Sequence, residues 1–141
     1  MTEPPISTTT NKTILCVDDD KDDCLLLCEA ITALSQVKLE IVQDGEEAVD
    51  FLNKTKETDD LPCLIVMDIN MPKMDGKKTL EVIKKDPQLK EIPVVIFSTH
   101  IDPKEKEYLA KQALKLIEKP TDSSTYKTIA ETLVKHCISQ P

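Results

Sequence analysis

The sequence predicts an α/β domain in which one five-stranded parallel sheet is doubly wound with helices, and three observations predict it. Short apolar runs alternate with longer stretches of helical periodicity along the chain, the pattern of successive βα units. The run Leu64-Ile65-Val66-Met67 has no polar alternation, as expected of a parallel strand covered on both faces. Two of the runs end on carboxylates, Asp18-Asp19-Asp20 and Asp68. The carboxyl edge of such a sheet is where ligands bind, so these acids stand where reactive groups belong.

The elements follow in order. Residues 13–17 read as a first strand. A helix over 22–34 carries Cys24, Leu27, Cys28, Ile31 and Leu34 at helical spacing. A second strand over 37–42 leads through Asp44-Gly45 to a short helix over 46–53. The third strand, 64–68, ends at Asp68. Asn70, Pro72 and the Asp75-Gly76 pair then supply the residues of a loop, and Asp75-Gly76 is a turn into the next helix rather than a ligand. That helix, 77–85, is stopped near Pro87. A fourth strand, 94–98, follows Pro93, and a weakly amphipathic helix begins near Pro103, a residue suited to a first helical turn. A fifth strand, 115–118, is ended by Pro120. The last helix, 122–137, places Tyr126, Ile129, Ala130, Leu133, Val134 and Cys137 on one stripe. Residues 1–11, rich in Pro, Ser and Thr, read as a disordered lead-in; 12–137 is the domain, and 138–141 a short tail.

A chain of 141 residues suffices for one domain with a real core, and 40% hydrophobic with 31% charged residues is an ordinary globular balance. The formal net charge of −8 argues against nucleic acid or an anionic membrane as partner. There is neither a basic-then-apolar leader nor an apolar run near the ~20 residues a membrane span requires, so a soluble, cytoplasmic protein is expected. The five cysteines lack zinc-site spacing and read as small buried side chains in a reducing compartment.

Each candidate residue has a plainer reading. One of Asp18, Asp19 and Asp20 could cap the following helix; Asp20 or Asp22 suits that role, and the triplet alone divides evenly between capping and metal binding. Ser98 and Lys119 alone would be a strand-end hydroxyl and a surface lysine. Met67, Met71 and Met74 read as packing, and His100 and His136 as surface residues. For Asp68, the adjoining Asn70, Pro72, Asp75 and Gly76 disfavour a simple solvated acid.

Taken together, Asp18-Asp19 after strand one, Asp68 after strand three, Ser98 after strand four and Lys119-Pro120 after strand five, with Asn-Met-Pro and Met-Asp-Gly following Asp68, resemble the receiver domains of two-component response regulators, especially the stand-alone CheY-like kind. The similarity runs over nearly the whole chain. It implies a flavodoxin-like (βα)5 fold with strand order 2-1-3-4-5. It also implies a Mg²⁺-dependent phosphoacceptor, fed by a histidine kinase or phosphotransfer protein and signalling by contact with a downstream protein. Asp68 would be nucleophile and ligand, Asp19 a direct metal ligand and Asp18 a ligand through water. The backbone carbonyl of Asn70 would complete the protein's share of the shell. Lys119 and the Ser98 hydroxyl would meet the phosphoryl oxygens, with a cis bond before Pro120 presenting the lysine. Mg²⁺ suits such a set because it is a hard cation that takes a few carboxylates and keeps several waters.

Three positions depart from the family pattern. Leu116 stands where an aromatic residue usually couples the switch hydroxyl to the output face, Gln112 replaces an expected Gly, and Ser98 a commoner Thr. Two rival functions remain. A haloacid-dehalogenase-like phosphatase or phosphotransferase would end its first-strand motif in Thr or Val, which Asp18-Asp19-Asp20-Lys21-Asp22 does not. The other rival is a receiver-fold binding module that works without phosphorylation.

Overall fold

Alternate residues of each central strand serve two different cores, and this sets the layers. The computed structural model describes residues 12–34, 37–71 and 75–138. β1 (Thr13–Val17), β2 (Lys38–Val42), β3 (Leu64–Met67), β4 (Val94–Ser98) and β5 (Lys115–Glu118) form one parallel sheet in the order β2-β1-β3-β4-β5. Every residue of β3 and β4 is buried, whereas β2 and β5 are partly exposed, as edge strands should be. Ile14, Cys16, Leu64, Val66, Val95 and Phe97 point to one face; Leu15, Val17, Ile65, Met67, Val94 and Ile96 point to the other.

The first face is covered by α1 (Lys21–Thr32) and α5 (Ser124–Ile138), which pack together. The second is covered by α2 (Gly45–Glu57), α3 (Gly76–Lys85) and α4 (Pro103–Gln112). The fold class and strand order expected from the sequence are therefore those observed. Four helices start on Asp caps whose carboxylates accept backbone N–H groups: Asp20, Asp44, Asp75 and Asp102. Gly76 has to be glycine because α3 begins against the backbone that follows β3. A Cβ there would lie 2.5 Å from Ile69 Cα and 2.7 Å from the Asp68 carbonyl oxygen.

Some expectations change. α2 runs to Glu57 rather than stopping at residue 53, since Lys54 and Lys56 complement its carboxyl end. A 3-10 turn at Leu89–Glu91 was not foreseen; the Asp86 carboxylate builds it by accepting from the Gln88 and Leu89 N–H groups. Ile138, assigned to the tail, is the last residue of α5. His136 is half-buried rather than on the surface. Cys63 and Cys137 are joined in a disulfide, with Cα atoms 5.2 Å apart, so the reading of all five cysteines as thiols is corrected for these two. The last turn of α5 lies over the start of β3, a contact between residues 74 apart that no local pattern shows. Residues 1–11 and 139–141, like Pro72 and Met74, lie outside the described residues. Among the described residues no helix is long and apolar enough to cross a membrane.

Candidate functional site

The carboxyl ends of β1, β3, β4 and β5 bring Asp18, Asp19, Asp68, Ser98 and Lys119 to one edge. Parallel registry places them: Asp68 N–H donates to the Val17 carbonyl at 2.9 Å, and Lys119 N–H to the Ser98 carbonyl at 2.8 Å. Asp18, Asp19 and Asp68 can each offer one carboxylate oxygen within 4.8 Å of the others; Asp18 and Asp68 are buried, while Asp19 is exposed. A cluster of hard oxygen donors with one open side fits a small divalent cation.

Both oxygens of Asp68 are engaged. Oδ1 accepts from the Asn70 N–H at 2.9 Å and from the Ser98 hydroxyl at 2.5 Å, and Oδ2 accepts from Lys119 Nζ at 3.2 Å. The Asn70 side chain donates to Ser98 Oγ and to the His100 carbonyl, each at 3.2 Å, and so ties the loop after β3 to the loop after β4. Asp18 Oδ1 accepts the Asp20 N–H, while its Oδ2 lies 2.6 Å from Lys119 Nζ.

Lys119 is not a surface lysine: its side chain is 4% exposed. Its ammonium also bonds Asp23 at 2.8 Å and sits 5.9 Å above the Phe97 ring. Burial pulls its pKa down, but hydrogen bonds to Asp18 and Asp23 and the charges of Asp18 and Asp68 outweigh that, leaving it raised and the lysine charged. Burial pushes the Asp18 carboxyl up to about 6, against the pull of Lys119. The Lys119–Pro120 bond is trans, which corrects the expected cis bond; the ion pairs of Lys119 present its ammonium to the acids.

A sequence profile described as the response regulator receiver domain matches residues 14–131. The chain belongs to this family. The receiver is 42% identical over 91 residues to response regulator Rcp1 of Synechocystis sp., an alignment covering 62% of each chain. It spans about three fifths of the curated relatives it first matches. Its fold superposes with a TM-score of 0.81 on the phosphorylated cyanobacterial phytochrome response regulator RcpA, at 32% identity, covering 92% of this chain and 96% of that one. It also superposes on the Mn²⁺-bound form of Rcp1 with a TM-score of 0.77, at 30% identity, covering 86% and 91%. The receiver is thus a signalling domain of the two-component kind, and its acidic cluster is of the type that suggests a divalent metal.

Sequence reasoning missed three participants. Asp23 is the third residue of α1, where an acid is normally explained by the helix dipole, and that explanation hid its bond to Lys119. Tyr126, on the buried stripe of α5, reaches Asp23 Oδ1 with its hydroxyl at 3.4 Å. Burial and the Asp23 charge push the Tyr126 phenol up to about 12, so it stays protonated. The Asn70 side chain, where only the carbonyl was expected, bonds Ser98 and His100 at the site. The capping reading of the acid triplet holds for Asp20 alone.

Proposed function

We propose that this receiver, residues 12–137, is a response regulator of the cytoplasm whose phosphoacceptor is Asp68. The observation that carries this reading is the convergence on Asp68 of two further carboxylates, from Asp18 and Asp19, and one buried ammonium, from Lys119.

In the reaction, one Asp68 oxygen forms a bond to the incoming phosphorus as the bond from phosphorus to the leaving group breaks; the leaving group departs with the electron pair. With a histidine kinase or phosphotransfer protein as donor, that group is an imidazole. With acetyl phosphate it is acetate. Water later attacks the phosphorus, releasing phosphate and restoring the carboxylate. The Asn70 N–H holds Oδ1, and the Ser98 hydroxyl and the Lys119 ammonium are the donors that meet the phosphoryl oxygens. Asp19, Asp68 and the Asn70 carbonyl would hold Mg²⁺ directly and Asp18 through water, and the ion would supply neutralisation of the gathered negative charge.

The output is a contact with a downstream protein, with neither nucleic acid nor membrane as partner. The partly exposed Tyr108, on α4, and Leu114, just before β5, offer apolar surface for it. Acetyl phosphate with Mg²⁺ should add one phosphoryl group, labile to hydroxylamine, and Asp68→Asn should abolish it. Full labelling of that variant would refute the assignment. Steady turnover of p-nitrophenyl phosphate would favour the phosphatase reading instead.

A further inference from the structure

An ammonium has three N–H donors, and the structure surrounds Lys119 Nζ with three carboxylates: Asp18 at 2.6 Å, Asp23 at 2.8 Å and Asp68 at 3.2 Å. These partners are not equivalent. Asp18 and Asp68 belong to the acidic triad, so a cation or a phosphoryl group would compete with the lysine for their oxygens. Asp23 lies outside the triad, on α1, so it alone of the three is free to keep its bond. Its other oxygen faces the Tyr126 hydroxyl on α5. The Tyr126 ring meets Phe97 edge-on, with centroids 5.8 Å apart and planes at 86°, and Phe97 adjoins Ser98. A continuous set of contacts therefore runs from Asp68 through Lys119 and Asp23 to α5. Leu116, packed among the residues on the other face of the sheet, has no polar tip with which to provide such a route.

We propose that Asp23 is a positioning residue for Lys119: it keeps the ammonium over the strand ends while Asp18 and Asp68 change partners. Through its contact with Tyr126, it passes the displacement of the lysine into α5. The proposal rests on Asp68 being the phosphoacceptor.

The chain has two tyrosines and no tryptophan, so in a Tyr108→Phe background Tyr126 is the only tyrosine chromophore. In that background, Mg²⁺ with beryllofluoride should change the tyrosine fluorescence. Asp23→Asn should remove the change. It should also slow labelling at saturating acetyl phosphate about tenfold, as loss of one charge-assisted bond to the reacting lysine implies. Half-saturation by Mg²⁺ should stay within about twofold, because Asp23 is not one of the triad carboxylates. Asp23→Glu should restore most of both signals, which a merely structural role would not predict. If the background protein labels and Asp23→Asn labels equally fast, the role of Asp23 is overturned and that of Asp68 stands. Slow labelling with an unchanged tyrosine response overturns the route to α5. Failure of the background protein to label at all overturns both readings.

Discussion

Ser98 Oγ donates to Asp68 Oδ1 at 2.5 Å, across 30 residues of sequence and between the ends of two adjacent buried strands. The hydroxyl expected to turn towards the site is already turned, and the Asn70 side chain helps to hold it there. The Ser98 hydroxyl and the Asn70 backbone N–H thus fix one oxygen of Asp68, while Lys119 addresses the other.

Ser98→Ala should cost the metal-free protein about 1–3 kcal/mol, the usual loss when a buried charged acceptor is deprived of a donor. Urea denaturation would measure this. Asp68 should still be labelled, more slowly, because its Asn70 contact remains.

Lys119→Ala should slow phosphorylation yet tighten Mg²⁺ binding. The reasoning is competition: Lys119 occupies oxygens of Asp18 and Asp68, two of the carboxylates a cation would use. By linkage, whatever the lysine gains from those oxygens is subtracted from metal affinity. Titration calorimetry checks this, and weaker Mg²⁺ binding by the variant would contradict it.

The metal-free protein should lose stability as pH rises from about 4 to about 6. Asp18 has a folded pKa raised from 3.8 to about 6, so over that window the folded state holds more of the proton than the unfolded state does. The loss should be at most about 3 kcal/mol, from ~1.4 kcal/mol per pH unit. Lys119, raised above its ordinary 10.5, has its contribution fully present throughout this window and loses it only in strong alkali. Chemical denaturation at several pH values, with Asp18→Asn as the flat control, tests the sign.

Gly76→Ala should be destabilising by about 2 kcal/mol or more, because the added methyl meets backbone rather than a yielding side chain. The Ile69 and Asp68 backbone would have to move, so phosphorylation should slow along with the fall in melting temperature.

The strands were legible because short apolar runs meet Pro or acids at one end: Asp18 follows β1, Asp68 follows β3, Pro93 precedes β4 and Pro120 lies just past β5; 13–17, 94–98 and 115–118 are the observed bounds. The turn before β5 was expected to manage without glycine, and it does: Asp59 is the sole non-glycine at positive φ among the described residues, and Ala113 is extended. Helix ends were less legible. Thr55 bonds back to the Phe51 and Leu52 carbonyls inside α2, so a residue that often marks a boundary instead lies within the helix. The site was legible wherever a residue ends a strand, as Asp18, Asp68 and Ser98 do. Asp23 and Tyr126 are 103 residues apart, and their meeting is a product of α1 packing on α5, which a linear pattern does not record.

The Cys63–Cys137 bond divides the receiver in a way that its layers do not. Residues between these cysteines form a covalent ring that contains Asp68, Ser98 and Lys119, whereas Asp18, Asp19 and Asp23 lie on the open arm outside it. By chain entropy alone, closing a ring of this length is worth about 4 kcal/mol. When oxidised, Asp68, Ser98 and Lys119 stay within one closed ring even if β1 and α1 peel away; Asp18 and Asp23 are held to that ring by packing and by their ion pairs with Lys119 in either state. The thiol state of the protein thus decides whether Asp68, Ser98 and Lys119 share one covalent loop or three separate strand ends.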